Sequence, residues 1–474
     1  MLFFGCDRSE KEIAARRQQV EQTLLPVFSM QGQPLASMPL AQRMNDYQIP
    51  GVSLAVINNG ALEWAQSYGV ADAISRKPVT PETRFQAASI SKLVTAVAVM
   101  SLVQDGKIGL DDDVNHRLQS WKIPMNEFVR AQPVTLRRLL SHSAGVNVPN
   151  FLGYAADALL PNARQILNGW PPAKNPAVTV EVTPGRIWQY SDGGYLIAQQ
   201  LLEDLDGQPF AELARRRVFD KIGMTRSTFA QPLPADLAES AASGHRVDGL
   251  PVEKGWYVYP EAAAEGLWTT PTDLAQLMIA LQQANAGKTS QLLSADLTKS
   301  LFTPQIGNSA FVGPIKGAGD AAWFSAGGST AGFRCLMVVF LNTGQGAVVM
   351  TNSENGHFLA MEIMRGIAQV YHWPDFRAVE KTAVSLSAER YAAYAGQYEF
   401  FEPAGMRLQV AAGDGRIQVT LSNQAFELFP ENEMTFFEPL SGMTITFMPH
   451  DDGQIKGLLF TPPLSPQPWV ARKL

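Results

Sequence analysis

The feature that most constrains this chain is an apolar run, residues 93–103, that directly follows Ser89-Ile90-Ser91-Lys92. Because the run is apolar on nearly every side, we predict a helix that passes through a core and ends near Gly106. Residues three apart share a helical face, so Ser89 and Lys92 should lie side by side. Ser89 would then occupy the first turn, where free backbone N–H groups and the positive end of the helix dipole favour an oxyanion.

The hydroxyl and amine of Ser89 and Lys92 could act as a nucleophile and its proton partner without a histidine. A free lysine has a pKa of about 10.4 and a tyrosine about 10, so either would need a pKa lower by roughly 3 to accept a proton near neutrality. A desolvated pocket with neighbouring positive charge can supply that change. For the tetrapeptide alone, we favour the simpler interpretation, in which S-x-x-K occurs by chance and Lys92 reaches from a helix end to solvent. Its interpretation depends on the rest of the chain.

Length and composition indicate a globular chain with more than one domain. With 474 residues, the chain exceeds the size of one ordinary core. Hydrophobic residues make up 46% of it and charged residues 17%, and the formal net charge is -6. No run rich in lysine and arginine stands out, which argues against a nucleic-acid partner. A small-molecule substrate, neutral or cationic, remains open.

The two cysteines, Cys6 and Cys335, exclude a disulfide framework. No stretch reaches the ~20 apolar residues of a membrane span, so we predict none. Residues 1–7 resemble the end of a bacterial lipoprotein signal with Cys6 as the lipidated residue, although the apolar core of about 7 to 15 residues is missing. We therefore expect a location in the bacterial cell envelope or periplasm, with Cys6 as a candidate lipid anchor.

Two hairpins far apart in sequence predict one sheet. Residues 52–57 and 62–68 flank an Asn-Gly turn, and residues 333–341 and 347–352 flank a second turn rich in glycine. Mostly helical and loop segments lie between the hairpins. We predict an α+β fold, in which N- and C-terminal parts form an antiparallel sheet flanked by helices, with a helical lobe at about residues 110–320.

The sequence pattern changes beyond about residue 385. Short runs of alternating polar and apolar residues follow, some of them separated by Asp-Gly turns. This spacing predicts a separate small all-β barrel over residues 386–474, after an N-terminal tail at 1–20 and a main domain at 21–380. The apolar positions of the barrel are more typical of its own core than of a ligand pocket. The predicted strands are 406–410, 417–421, 426–429, 434–437, 443–448 and 455–460.

Two further stretches could complete a site around Ser89. The first, residues 183–195, is a turn-rich loop in which Tyr190 could face a cleft and accept a proton near a cationic Lys92. Tyr190 could equally be a packing aromatic. The second, residues 324–333, consists of small residues that lead into a strand. There the N–H of Ser329 could donate to an oxyanion beside the N–H of Ser89, or the stretch could be a flexible turn.

Through these segments, the chain resembles the serine β-lactamase and penicillin-binding-protein superfamily, and within it the class C and esterase-like branch. The tetrapeptide and the two stretches above stand in the order typical of that superfamily. The C-terminal region also resembles the small lipocalin-like barrel appended to many such hydrolases. Supporting motifs occur in the expected order at 49–53, 83–85, 106–112, 135–145 and 266–274.

The resemblance implies a role for each candidate residue. Ser89 would be the acylated nucleophile, Lys92 its proton partner, and Tyr190 the acid/base that activates Ser89 and later the deacylating water. The N–H groups of Ser89 and Ser329 would form the oxyanion hole. His142 would be structural. The other histidines have no metal-ligand spacing, so we predict neither a metal nor another cofactor.

Two positions depart from the pattern of the family. Asp192 stands where that branch has asparagine, and a carboxylate there should hold Lys92 protonated, shift the base role to Tyr190 and repel anionic substrates. Ala326 stands where the third motif has lysine or histidine, so a charge-assisted hydrogen bond worth about 1.5–3 kcal/mol is missing. We expect Asp192, Ala326, Gly327 and Gly328 to line the substrate site, without an efficient β-lactamase activity.

Two hypotheses of different class follow. The first is a serine hydrolase, an esterase or a peptidase/amidase, that acts through an acyl-enzyme on an ester or amide without an obligatory carboxylate. The second is a catalytically silent binding protein of the same fold that holds envelope peptides or a partner. Retention of Ser89, Lys92 and Tyr190 favours the hydrolase, because a purely binding role would not require all three.

Overall fold

The computed structural model describes residues 3–33, 37–288, 290–401, 405–421, 424–462 and 468–474, with side chains from residue 10 onward except at 424. The backbone of the N-terminal segment is helical from residue 3, but the side chain of the candidate anchor Cys6 lies outside the described part. Within the described ranges, no helix combines the length and apolar character needed to cross a membrane.

Most of the helices lie between the two predicted hairpins, where they alternate with long loops and short strands. Short 3-10 turns occur at Ala88–Ile90 and Gly319–Ala321, and a π-helical turn at Arg215–Phe219. The α-helices are α1 Phe3–Gln22, α2 Leu40–Asp46, α3 Ser91–Gln104, α4 Val114–Arg117, α5 Glu127–Ala131, α6 Leu136–Leu140, α7 Ala163–Asn168, α8 Asp192–Asp206, α9 Phe210–Ala214, α10 Asp220–Ile222, α11 Ala235–Ala238, α12 Ala262–Glu265, α13 Pro271–Asn285, α14 Ala295–Phe302, α15 Gly356–Val370 and α16 Ala388–Tyr394.

Strands cluster at the two ends of the chain. They are β1 Phe28–Met30, β2 Gly51–Asn58, β3 Ala61–Gly69, β4 Phe85–Gln86, β5 Tyr154–Ala155, β6 Tyr257–Val258, β7 Trp268–Thr269, β8 Ser309–Ala310, β9 Gly313–Pro314, β10 Trp323–Thr330, β11 Phe333–Phe340, β12 Gly346–Thr351, β13 Val379–Lys381, β14 Gly396–Phe400, β15 Arg407–Ala412, β16 Ile417–Leu421, β17 Gln424–Pro430, β18 Thr435–Phe437, β19 Thr444–Pro449, β20 Ile455–Thr461 and β21 Trp469–Lys473.

The central sheet has the order β10-β11-β12-β2-β3, with every neighbouring pair antiparallel. Pairing of β12 with β2, for example Val349 with Leu54, joins the C-terminal part of the chain to the N-terminal part. Both strands are buried along almost their whole length, and α13 packs against both of them. The predicted α+β fold with a sheet closed by both ends of the chain is confirmed.

The turn between β2 and β3 shows why this hairpin was predictable. Asn59 and Gly60 have φ angles of 53° and 72°, the left-handed values that a tight hairpin turn requires. Asparagine and glycine tolerate these angles better than other residues. The register then follows from Asn58 paired with Ala61.

The small-residue stretch at 324–333 is mostly a strand, not the flexible turn that the sequence left as an alternative. Its first residues form β10, an edge strand, and only Ala331 and Gly332 form the turn into β11. A run of serine, alanine and glycine has low strand propensity, so local sequence favours a loop. Eight consecutive pairs with β11, from Trp323–Phe340 to Thr330–Phe333, override that preference.

The chain divides into two compact units, Met1–Arg17 with Ala41–Met364, and Gln18–Leu40 with Arg365–Leu474. The second unit contains a closed antiparallel barrel of the eight strands β14 to β21. Its core includes Tyr394, Tyr398 and Phe447, with the rings of Tyr394 and Phe447 stacked at 4.4 Å. The predicted C-terminal barrel is confirmed, although its first and last strands were not predicted; the exact domain boundaries remain predictions.

Candidate active site

The Ser89 hydroxyl lies at the head of the predicted apolar helix. Ser89 occupies the 3-10 turn Ala88–Ile90, which continues directly into α3. The helix ends at Gln104, two residues before Gly106, whose φ of 68° stops it. Ala88 is fully buried with a φ of 49°, a left-handed conformation that costs energy for a residue with a side chain. The turn that presents Ser89 is therefore held in place by its surroundings.

Lys92 is buried beneath Ser89, and its ammonium group is surrounded by oxygen atoms. The Nζ atom donates to Ser89 Oγ at 3.0 Å and to the Ala264 carbonyl at 3.0 Å. It also lies 2.7 Å from Asp192 Oδ1 and 3.2 Å from Glu265 Oε1. The helical spacing of Ser89 and Lys92 thus produces the contact that the sequence suggested.

The two carboxylates decide the charge of Lys92. Burial by itself would lower the pKa of the lysine, but Glu265 and Asp192 outweigh it and raise that pKa well above its ordinary value. Lys92 is therefore an ammonium ion at neutral pH and cannot accept a proton from Ser89. Asp192, the first residue of α8, is itself fully buried and contacts Lys92 as the sequence analysis anticipated.

Tyr190 reaches Ser89 from the loop before α8. Its hydroxyl donates to Ser89 Oγ at 3.0 Å. The loop is secured by Ser191, the N-cap of α8, whose Oγ accepts from the Gly194 N–H and donates to the Asn147 carbonyl. Burial raises the pKa of Tyr190, while the nearby Lys92 charge lowers it, and burial prevails. Tyr190 is thus a neutral hydroxyl donor in the resting protein.

His142 supports the ring of Tyr190 rather than reaching the nucleophile. The two rings stack with centroids 4.4 Å apart and planes 28° apart. The Nδ1 atom of His142 accepts the backbone N–H of Ser191 at 3.1 Å, which orients the ring. Burial and the Lys92 charge lower the pKa of His142 to about 3, so it stays neutral at working pH. This geometry is that of a structural histidine.

Glu265 is a functional candidate that the sequence analysis missed. It ends the short helix α12, and its Oε1 accepts a hydrogen bond of 2.6 Å from Ser89 Oγ. Burial raises the pKa of Glu265 to about 7, against the effect of Lys92. The sequence signal was present, since one carboxylate interrupts the small and apolar run from Ala262 to Trp268. The supporting family motif at 266–274 begins at the residue after it.

The glycine-rich strand β10 packs against the turn that carries Ser89. A Cβ atom added to Gly328 would lie 2.2 Å from the carbonyl oxygen of Ala87, and no side chain fits there. Gly327 and Ala326 precede it, and Ser329 follows on the same strand. The roles of Ser329 as an oxyanion donor and of Ala326, Gly327 and Gly328 in substrate binding remain predictions.

The site therefore unites residues from four segments of the first unit around one oxygen atom. Ser89 Oγ contacts Lys92 from α3, Tyr190 from the loop before α8 and Glu265 from α12, while Asp192 lies behind Lys92. Across the described ranges, no group of three or more His, Cys, Asp or Glu side chains is arranged to hold a metal ion. A serine with one carboxylate, one ammonium and one phenol in contact is suited to acyl transfer.

Fold and site together define a protein of the serine β-lactamase and penicillin-binding-protein type. The Beta-lactamase family model matches residues 40–371, which is most of the chain. The protein belongs to that family.

Relatives of known sequence support the same conclusion. "Penicillin-binding protein 4*" of Bacillus subtilis (strain 168) is 22% identical over 458 residues, covering 87% of this chain and 93% of its own. "Unguisins hydrolase ungD'" of Aspergillus campestris (strain IBT 28561) is 28% identical over 214 residues, 43% of this chain and 36% of its own.

Solved structures share the fold. An octameric penicillin-binding protein homologue from Pyrococcus abyssi superposes with a TM-score of 0.60 at 22% identity, covering 91% of this chain and 98% of that one. The D-alanine carboxypeptidase AmpC from Burkholderia cenocepacia gives a TM-score of 0.53 at 20% identity, covering 74% of this chain and 99% of that one. At these identities the likeness concerns the fold alone.

Proposed function

We propose that this protein is a serine hydrolase that forms an acyl-enzyme on Ser89. The observation that carries the proposal is the contact of Ser89 Oγ with Lys92, Tyr190 and Glu265, all at 3.0 Å or less. A serine side chain that only binds a partner gains nothing from a buried ammonium and a phenol on its oxygen. The silent binding protein considered from sequence therefore has no observation in its favour.

The reaction has two halves. In the first, Ser89 Oγ attacks the carbonyl carbon, and the developing oxyanion receives hydrogen bonds from the N–H groups of Ser89 and Ser329. The bond to the leaving oxygen or nitrogen then breaks and leaves the acyl group on Ser89. In the second, water attacks the acyl-enzyme and the acid is released. In this proposal Tyr190, which contacts Ser89 Oγ, exchanges protons with the leaving atom and with that water.

The proposed substrate is an ester or amide that needs no carboxylate of its own. Ala326 provides no cation for such a group, and Asp192 and Glu265 add negative charge near Ser89. Repulsion between these carboxylates and an anionic substrate would weaken binding. We expect faster turnover of 4-nitrophenyl acetate than of a chromogenic cephalosporin.

We also propose that the enzyme works in the bacterial cell envelope, on the resemblance of residues 1–7 to a lipoprotein signal.

The first prediction concerns the nucleophile. Wild-type protein should react with a fluorophosphonate probe and hydrolyse 4-nitrophenyl acetate, whereas Ser89→Ala should lose both activities to the background level. Ser91→Ala is the matched control, because the Ser91 hydroxyl is buried two residues away and accepts the Leu267 N–H instead of facing the site. That variant should still take the label. Absence of label on the wild type would refute the hydrolase proposal and favour a binding protein.

A further inference from the structure

The hydrogen bonds of Ser89 Oγ have a direction that constrains where its proton can go. Lys92 and Tyr190 both donate to this oxygen, each at 3.0 Å. Ser89 has a single hydrogen of its own, and it points to Glu265 Oε1 at 2.6 Å. An ionised carboxylate can only accept, so in the ionised form of Glu265 this third bond runs from the Ser89 hydroxyl to the carboxylate.

The two groups usually considered as bases are both occupied as donors. Lys92 is held as an ammonium ion by Asp192 and Glu265, and it has no lone pair to offer. Tyr190 is a neutral phenol whose own proton already points to Ser89. Glu265 therefore contacts the nucleophile as the one acceptor among the three.

We propose that Glu265 is a catalytic residue that takes the proton of Ser89 when the acyl-enzyme forms. The proposal rests on the proposed function, and it gives Glu265 the step that the sequence analysis gave to Tyr190. A carboxylate within hydrogen-bond reach of the proton it removes meets the geometric requirement for a general base.

The proton transfers balance over one catalytic cycle. In acylation the Ser89 proton passes to Glu265 Oε1, Oγ bonds to the carbonyl carbon, and the leaving oxygen or nitrogen departs with the proton of Tyr190. In deacylation the Tyr190 phenolate takes a proton from the attacking water, and the Glu265 carboxyl group returns its proton to Ser89 Oγ as the acyl bond breaks. Lys92, next to both groups, stabilises the transient phenolate by its charge.

The surroundings of Glu265 suit a group that must gain and lose a proton near neutrality. Its side chain is buried, and among the described residues its second oxygen, Oε2, has no hydrogen-bond partner. Burial raises the pKa of Glu265 to about 7, and an operating pH near the pKa is best for general base catalysis. The polar and titratable groups that face it come from several elements. They are Ser89, Lys92 of α3, Tyr190, Asp192 of α8, Glu261 at the N-cap of α12, Tyr259 and Cys335 of β11.

The test measures the rate of acylation in wild type, Glu265→Gln and Glu261→Gln with a fluorophosphonate probe between about pH 5 and 9. Glu261 is the matched control because it is buried one turn earlier, at the N-cap of α12, and its carboxyl oxygens make no hydrogen bond to another described residue. We expect the wild-type rate to fall as the pH drops through about 7. Glu265→Gln should be slower by roughly 10²- to 10⁴-fold and lose that dependence, while Glu261→Gln should keep it.

Burst kinetics separate Glu265 from Tyr190. With 4-nitrophenyl acetate, whose leaving group needs no proton, Tyr190→Phe should still show a rapid burst of 4-nitrophenolate followed by slow turnover. Glu265→Gln should show no burst, because its first step is slow. A burst in Glu265→Gln that equals the wild-type burst would overturn the proposal while leaving the hydrolase function intact.

Two further outcomes remain informative. If Glu265→Gln does not fold, the pH dependence of the wild-type acylation rate still tests the proposal. A rate that is flat between about pH 6 and 8 contradicts a base with the pKa of Glu265. If wild-type protein takes no probe at any pH, the proposed function itself fails and Glu265 has no step to assist.

Discussion

Lys92 shows how one side chain can determine the chemistry available to its neighbours. A lysine beside a serine suggests an amine that accepts a proton, but Asp192 and Glu265 keep this one charged. Its function at the site is then electrostatic: it donates to Ser89 and offsets two buried carboxylates. The substitution of a single expected asparagine by Asp192 is what makes this outcome predictable from the sequence.

The charge of Lys92 should also affect stability in a pH-dependent way. In Lys92→Met, Asp192 and Glu265 lose their cation, and loss of one partner of a buried pair costs about 3–5 kcal/mol. Glu265 already has a raised pKa, and the substitution raises it further, so the variant prefers its protonated carboxyl. A raised carboxyl pKa gives stability at low pH that is lost as the pH rises towards that pKa. The difference in the free energy of unfolding between Lys92→Met and wild type should therefore be small near pH 5 and largest near pH 8.

Urea unfolding at pH 5 and pH 8 measures this difference directly. Lys107→Met is the control, because Lys107 is exposed and lies 4.0 Å from Asp206, so its loss should cost under about 1 kcal/mol at either pH. A Lys92→Met variant with the same free energy of unfolding as wild type at pH 8 would contradict the buried ion pair.

At the scale of elements, the site depends on the close packing of β10 against the turn before α3. Gly328 lies where a Cβ would meet the Ala87 carbonyl at 2.2 Å and Cys335 Sγ at 2.5 Å. Because Ala87 is two residues from Ser89, any shift of that carbonyl would move the nucleophile. The absence of a side chain at this position therefore brings the candidate oxyanion strand near Ser89.

This contact gives a prediction with a built-in control. Gly328→Ala should lower 4-nitrophenyl acetate turnover by at least about tenfold and destabilise the protein by roughly 1–3 kcal/mol, since overpacking displaces the strand or the turn. Gly327→Ala should be tolerated, because its added Cβ meets only the Cys335 carbonyl at 3.6 Å, an ordinary contact. Equal activity and melting temperature for the two variants would contradict the account of this interface.

At the scale of the whole molecule, the sequence predicted those parts whose patterns are local. The Asn59-Gly60 turn and the apolar run of α3 specify their structures within a few residues, and both occur as expected. Six alternating runs likewise predicted six barrel strands. The strands β14 and β21 that close the barrel were not predicted, because their pairing with each other, for example Tyr398 with Lys473, joins opposite ends of the barrel sequence.

The candidate site shows the same limit. Ser89 and Lys92 are three residues apart, so helical geometry places them together without knowledge of the fold. Glu265 lies 176 positions from Ser89, and its place in a small and apolar run marks it as unusual without indicating which residue it contacts. Only the packing of α12 against α3 brings its oxygen to the nucleophile. Contacts made over such separations depend on tertiary structure that residue patterns do not encode.

The central claim, that the protein works through an acyl group on Ser89, is tested most directly by mass spectrometry of the full chain during turnover. Protein mixed with excess 4-nitrophenyl acetate, quenched in acid at short times and digested, should carry one acetyl group on the peptide that contains Ser89. The adduct should form as fast as the burst of 4-nitrophenolate and disappear at the turnover rate. Turnover with no adduct, or with an acetyl group on another residue, would contradict the account.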